Sequence, residues 1–348
     1  PGVVGETTGH LGSQRENRIG GADMDWGAIF NNTAVWLLSP TTIAYALAAT
    51  GLAVHFGYAG LLNFGMAGFM AIGAYSYAIS ILSFGLPWWV GILIGMVMST
   101  LFAFILGIPT LRLRADYLAI VTIAAAEIVR LLFTTTAFDK WTNSADGLGG
   151  YHAGFRAANP FPPGQYGFGP WQFNETQLWV RVFGLFLLAI CIYLVWALMR
   201  SPWGRVLKGI REDEDAVRSL GKNVFAYKMQ ALVIGGIMGG LGGVVFALPS
   251  AVVPASYTTS LTFFLWTILL LGGAATVFGP ALGAVIFWVI MAFLEGVLPA
   301  MAEQGILPIS AIQAGQLRFV IVGVALMLLV IFRPQGILGN KRELTFVK

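Results

Sequence analysis

Nine stretches of about twenty mostly apolar residues dominate this chain, and a helix of that length is what crosses the hydrocarbon core of a bilayer. They cover roughly residues 33–55, 60–82, 88–111, 116–137, 179–199, 224–248, 261–277, 281–299 and 316–332. Only 10% of the 348 residues are charged and 57% are hydrophobic. A water-soluble domain carries roughly 25% charged residues, so this chain has too little polar surface to cover itself in water. The expected fold class is therefore all-α: a polytopic integral membrane protein of about nine transmembrane or re-entrant helical segments spread over residues 24–339. The second, seventh and eighth runs are rich in Gly, Ala and Pro, and such segments can be broken or re-entrant where they line a cavity.

The charge pattern gives an expected sidedness. With the N-terminus outside, the inner loops hold Arg112 and Arg114, then Arg200, Arg205, Lys208, Arg211, Arg218, Lys222 and Lys228. The basic tail 340–348 follows Arg333 on the same side. The links 83–87, 249–260 and 300–315, on the other side, contain no Lys or Arg. Positive charge retained on the cytoplasmic side explains this asymmetry, and puts the C-terminus in the cytoplasm. The net charge of +4 could point to nucleic acid. The basic residues flank apolar runs and form no stripe with aromatics, so no nucleic-acid partner is expected. Cys191 is single, and His10, His55 and His152 have no ligand spacing, so no metal site is expected. Residues 1–23 are polar and Gly-rich and read as a disordered tail or an added stretch, with Met24 as a natural start.

Small residues recur every fourth position at Gly235, Gly239 and Gly243 and at Gly236 and Gly240. In lipid this spacing lets helix backbones approach closely, and packing is the simpler reading than gating. Glu127 and Arg130 lie inside the fourth run, three apart on one helix face. They are either near a solute path or an internal ion pair with Arg130 reaching for the outer face. Glu295 and Arg318, near outer helix ends, read as interfacial.

Two links are long. Residues 138–178, outside, are full of Gly, Pro and aromatics with no evident helix or strand pattern. They read either as a docking platform for an external partner, with Trp141, Gly147 and Trp171 as candidates, or as a lid over the helix ends. Residues 200–228, inside, read RSPWGRVLKGIREDEDAVRSLGKNVFAYK. Glu212, Asp213, Glu214 and Asp215 are expected to open a helix, where carboxylates meet the positive end of the dipole. Ala216, Val217 and Leu220 continue it and Gly221 is a natural C′ residue. The segment is either a solvated loop or a helix that inserts into a cytoplasmic partner.

Several blocks also resemble one family. They are GYAGLLNFGMAGFMAIGAY (57–75), LRADYLAIVTIAAAEIVRLL (113–132) with ADGLGG (145–150), SPWGRVLKGIREDE with LGKNVFAYK (201–228), LLLGGAATVFGPALGA (269–284) and FRPQGILG (332–339). In order over some three hundred residues, they resemble the permease subunits of branched-chain amino acid ABC importers, of the M type. The resemblance implies a bacterial inner-membrane assembly of two related permease subunits, two cytoplasmic ATPases and an external solute-binding protein. It makes 200–228 a coupling loop to the ATPase, with Arg205, Arg211, Glu212, Asp213, Glu214, Asp215 and Gly221 as the contact candidates. Asn63, Met66, Glu127 and Arg130 become candidates for the translocation path. One departure is Asn63-Phe64-Gly65-Met66, where many members have a His or Ser-Leu-Gly-His type of stretch.

No GxxxxGK[ST] sequence occurs, because Gly221-Lys222 is followed by Asn223. The chain is thus expected to bind no cofactor and to be no enzyme, with ATP and Mg used by partner subunits. The expected solute is a branched-chain or other neutral amino acid, and importers of urea and short amides have closely similar permeases. An ion-coupled secondary transporter would want a membrane chain of Asp, Glu or His, and a membrane enzyme a catalytic constellation; the sequence offers neither.

Overall fold

The computed structural model describes residues 25–112, 115–333 and 335–339, so the expected tail 1–23 with Met24, Arg114 and the basic tail 340–348 lie outside the described residues. In chain order the helices are α1 (Trp26–Trp36), α2 (Pro40–Leu52) running into a π-helical turn (Ala53–Tyr58), α3 (Met66–Leu82), α4 (Trp88–Thr110), α5 (Ala115–Thr134), α6 (Asp139–Thr142) and α7 (Ala153–Ala157). A hairpin of β1 (Gln165–Phe168) and β2 (Trp171–Asn174) follows. Then come α8 (Glu175–Arg200), α9 (Pro202–Glu212), α10 (Glu214–Ser219), α11 (Val224–Ala247), α12 (Thr259–Gly272), α13 (Gly279–Glu303) and α14 (Ala311–Phe332).

Every one of the nine apolar runs contains a helix, but they are not nine equal spans. Among the described residues seven helical stretches are long and apolar enough to cross a membrane, and α1 with α2, bent by 42°, makes an eighth candidate. Ser39-Pro40 causes the bend: Pro40 lacks the N–H that would continue α1 and sits at the N1 position of α2, where that loss is harmless. The remaining run holds α3, only 17 residues. Residues 59–65 before it are not helical, and the seventh run ends its helix at Gly272 because Gly273 takes a φ of +115°. The eighth run, also expected to be broken, is instead the unbroken α13.

At the centre stands α11, packed on α2, α3 and α4, with 72% of its apolar window buried, against 6% for the peripheral α14. Its glycines make this possible. A Cβ at Gly243 would fall 1.9 Å from the Met70 carbonyl of α3, and one at Gly240 2.1 Å from Ser99 Oγ of α4. In lipid, where hydrophobic burial gains little between helices, such close contact supplies the association energy.

The chain's ends alternate between two poles. At one, Trp171 Nε1 donates to the Ala34 carbonyl at 2.8 Å, Leu148 and Val252 form an antiparallel bridge, and Tyr151 shares its hydroxyl proton between the carbonyls of Ala247 and Ser250 at 2.8 and 2.6 Å. The other pole gathers Arg112, Arg211, Arg218, Lys222 and Lys228. The basic loops therefore share one face, as the charge pattern requires.

Residues 138–178 are more structured than expected. Tyr166 pairs with Phe173 and Phe168 with Trp171 around Gly169-Pro170, and Gly169 has a φ of +57°. Arg181 lies over the Phe173 ring at 3.7 Å, seating the hairpin on α8. His152 lies in this region, half-buried, with Nδ1 lacking a partner among the described residues. Burial, and then the Arg156 charge, hold its imidazole below the usual value. A lowered histidine pKa favours the neutral form in the fold. Its stabilisation is thus complete above the unfolded value of about 6.5 and is lost as pH falls through the folded value. Thermal melts at pH 7.5 and 5.5 are expected to show a smaller acid penalty for His152→Phe than for the parent chain.

Candidate functional site

The site grows from the break before α3. Gly65, its N-cap, has no side chain to satisfy the first amides, which in an apolar interior must find other acceptors. Two neighbouring helices and Asn63 provide them. Phe64 N–H donates to Thr122 Oγ1 of α5 at 3.0 Å, Ala67 N–H to Thr262 Oγ1 of α12 at 3.0 Å, and Gly65 N–H to Asn63 Oδ1 at 2.7 Å. The Asn63 amide donates to His55 Nδ1 at 3.0 Å, and His55 Nε2 donates to the Leu232 carbonyl of α11 at 3.0 Å. This directed chain is complete with a neutral imidazole protonated on Nε2. Trp266 Nε1 donates to the Asn63 carbonyl at 3.2 Å and its ring stacks on Phe64 at 4.5 Å.

A helix shorter than the bilayer thus starts here, against α12. At about 1.5 Å per residue, α3 is about 26 Å long, below the roughly 30 Å of hydrocarbon. Interrupted helices of this kind, with backbone held by side chains of neighbours, mark binding sites in membrane transporters.

The break connects to the basic pole. Arg211, its side chain 7% exposed, donates from Nη1 to the Gly57 carbonyl in the π-helical turn at 2.5 Å. Gly60, with a φ of +68°, lies against the Arg211 stem, and a Cβ at Gly57 would fall 1.8 Å from the Ala274 carbonyl. Beyond α12, Ile337 and Leu338 donate to the carbonyls of Leu271 and Gly272 at 2.9 and 3.1 Å, finishing that helix. Four blocks separated in sequence, at 57–75, 201–228, 269–284 and 332–339, therefore converge at one pole.

The helix expected to open at Glu212 is arranged differently. Glu212 is the last residue of α9, and Asp213 is extended (φ −152°, ψ 101°), its side chain accepting from Ala216 N–H to cap α10. A residue serving as N-cap cannot also be helical, so the acidic run is split. Glu214 and Asp215 pair with Arg218 at 2.8 and 2.9 Å, Glu214 also with Lys228, and Gly221 has the expected positive φ of +75°. The preceding α9 was not anticipated. Its signal was Trp203, Val206, Leu207 and Ile210 at helical spacing after Ser201-Pro202; Leu207 and Ile210 are buried, while Arg205 is exposed.

Asn63 and Met66 are fully buried, and Asn63 spends both ends of its amide inside the protein. Glu127 and Arg130 form a bidentate ion pair at 3.0 Å through Nε, with side chains 38% and 22% exposed. Neutralising one member of such a pair leaves the other charge uncompensated. Glu127→Gln or Arg130→Gln alone is thus expected to lower the melting temperature more than Glu127→Gln with Arg130→Gln together, measured in detergent. Glu295 pairs with Arg318 at 2.6 Å across α13 and α14, a partnership 23 residues apart that spacing could not show.

Of the docking candidates, Trp141 is exposed and stacks on Phe84 at 5.6 Å. Gly147 is buried, where a Cβ would fall 2.2 Å from the Val252 carbonyl, and offers no surface to a partner. Trp171 anchors the hairpin to α1, leaving Phe168, 74% exposed, at the tip. Among the described residues no group of His, Cys, Asp and Glu could hold a metal ion.

Residues 37–331 match the family model described as branched-chain amino acid transport system / permease component. The chain is 30% identical over 316 residues to the high-affinity branched-chain amino acid transport system permease protein LivM of Escherichia coli (strain K12), covering 88% of this chain and 70% of that protein. It is 25% identical to the probable branched-chain amino acid transport permease protein LivM of Methanocaldococcus jannaschii, covering 86% and 92%. Identity is also 25% to the nucleoside ABC transporter permease protein NupC of Lactococcus lactis subsp. cremoris, covering 77% and 84%.

Proposed function

From the premise that this chain belongs to the branched-chain amino acid transport system permease family, we propose that it forms the membrane path for a branched-chain or other neutral amino acid. It is a multi-pass protein of the bacterial inner membrane and the permease subunit of an ABC importer; it is not itself an enzyme, and a separate ATPase hydrolyses ATP. It works with other ABC components. In the proposed assembly these are a second, related permease subunit, two ATPase subunits that use ATP and Mg, and an external solute-binding protein.

The observation that carries this reading is the physical link from Arg211 on α9 through Gly57 to the break at Asn63. The basic pole is cytoplasmic in this reading, and α9 with α10 docks on the ATPase. Motion of α9 then pulls on the π-helical turn and the 59–65 segment, changing how α3 meets α12 and so opening the path to one side or the other. Arg205 and the exposed face of α10 supply the contact, while Arg211 faces inward as the transmitting residue. At the opposite pole, Phe84, Phe138 and Trp141 form an exposed aromatic patch suited to the binding protein.

The branched-chain solute rests on the family model and on the 30% identity to the Escherichia coli LivM; the 25% identity to a nucleoside permease, equal to that of the Methanocaldococcus LivM, supports a second reading. Uptake into proteoliposomes containing the full importer tests it. Labelled leucine is expected to be accumulated, and competed by valine and isoleucine but not by uridine or urea. Uptake of uridine with none of leucine would refute the amino-acid reading.

A further inference from the structure

At the basic pole two clefts border α4 and α11, one on the side of α10 and one on the side of α8 and α9. The first, about 880 Å³, is lined by Arg112 at the end of α4, by Glu214, Asp215 and Arg218 of α10, and by Lys222 and Lys228. Arg218 and Lys228 are taken up in ion pairs with Glu214 and Asp215. Arg112 and Lys222 meet no carboxylate among the described residues and are exposed, so the cleft carries two uncompensated positive charges. The second cleft, about 690 Å³, is apolar and is walled by Phe104, Leu198, Phe225, Met229, Val233 and Ile234.

Phe225 lines both clefts, and the Arg112 guanidinium lies over its ring at 5.6 Å. The charged and apolar clefts therefore adjoin at Phe225, which marks the polarity boundary between them. That boundary falls where α4 ends and α11 begins, which for membrane-spanning helices is the headgroup level. From Phe225 to Val233 the apolar cleft descends α11 by about 12 Å, most of the roughly 15 Å depth of one leaflet. Cationic side chains at the headgroup level above an apolar trough complement a phosphate with a hydrocarbon tail.

We propose that these adjoining clefts bind an anionic phospholipid, with Arg112 and Lys222 holding its phosphate and one acyl chain lying along α11 between Phe225 and Ile234. The site is independent of which solute is carried, and it shares the α10 wall with the surface proposed above to meet the ATPase.

The full chain, purified in detergent, tests this through its melting temperature against added phosphatidylglycerol, phosphatidylcholine or glycerol phosphate. Phosphatidylglycerol alone of the three is expected to stabilise, and Arg112→Gln with Lys222→Gln to weaken that response roughly 30-fold at about 1 kcal/mol for each surface cation. Equal protection by phosphatidylcholine, protection by glycerol phosphate, or an undiminished response in the variant would each overturn the site. So would displacement of bound phosphatidylglycerol by the ATPase subunit, which would assign the clefts to a protein interface. Should the variant fold poorly, a phosphatidylglycerol with a photoactivatable acyl chain is applied to the unaltered protein. Labelling within 224–234 or the second half of α4 is expected, and labelling only elsewhere refutes the proposal.

Discussion

Arg211→Gln is expected to cut ATP-driven uptake by about tenfold or more while the ATPase subunits still co-purify and still hydrolyse ATP. The Arg211 side chain is buried and its Nη1 donates to the Gly57 carbonyl at 2.5 Å. A hydrogen bond from a charged group contributes about 1.5–3 kcal/mol, a factor of roughly ten to a hundred and fifty in an equilibrium. The acceptor lies in a π-helical turn, a form rare in proteins and frequent at functional sites. The turn is wedged between Arg211 on one side and Ala274 on the other. Glutamine is too short to span this gap and carries no charge, so α9 would move on the ATPase without drawing the turn along. The contrast between retained hydrolysis and lost uptake separates this role from simple unfolding. Unchanged uptake per ATP hydrolysed would show that the force takes another route.

The second large effect is expected from Asn63→Leu. The leucine has nearly the right volume but none of the polarity. It leaves the Gly65 N–H and His55 Nδ1, both now satisfied at 2.7 and 3.0 Å, without partners in a fully buried site. Each orphaned group costs about 1–3 kcal/mol, so a loss of about 2–6 kcal/mol is expected, a large part of the stability of an ordinary domain. A melting temperature lowered by ten degrees or more in detergent, with poor recovery of folded protein, would be the result. A melt within two degrees of the parent would mean that the chain from Gly65 to Leu232 holds nothing together. The predicted loss would make Asn63 a positioning residue that fixes the start of α3 relative to α11.

The spans and the site differ in how far sequence alone discloses them. The spans were legible because the apolar runs match a fixed bilayer thickness, and α4, α8 and α11 fall within a few residues of their expected limits. The shared basic face was legible because Lys and Arg are spaced along the chain by the spans themselves. Asn63 was named only through the family resemblance, and its partners were not legible, since His55 and Leu232 come from other elements. Local signals were also left unused. Gly169-Pro170 between Tyr166-Gly167-Phe168 and Trp171-Gln172-Phe173 is a hairpin pattern, and the apolar spacing of α9 marks an amphipathic helix. The acidic run 212–215 was misplaced because carboxylates suit both a cap and a first turn, and only the extended backbone of Asp213 distinguishes them. Pairs such as Glu295 with Arg318 need the tertiary fold, as does the burial of Gly147 beneath the loop at Val252.

The central claim is that α9, pinned through Arg211 to the break before α3, makes this chain the ATP-driven path of an importer. Co-purification from native membrane, followed by reconstitution of the isolated complex, tests it most directly. The account predicts a complex containing an ATPase and a second permease, with solute uptake that requires both ATP and the external binding protein. Isolation of this chain alone, competent for uptake driven by an ion gradient in vesicles without any ATPase, would contradict it.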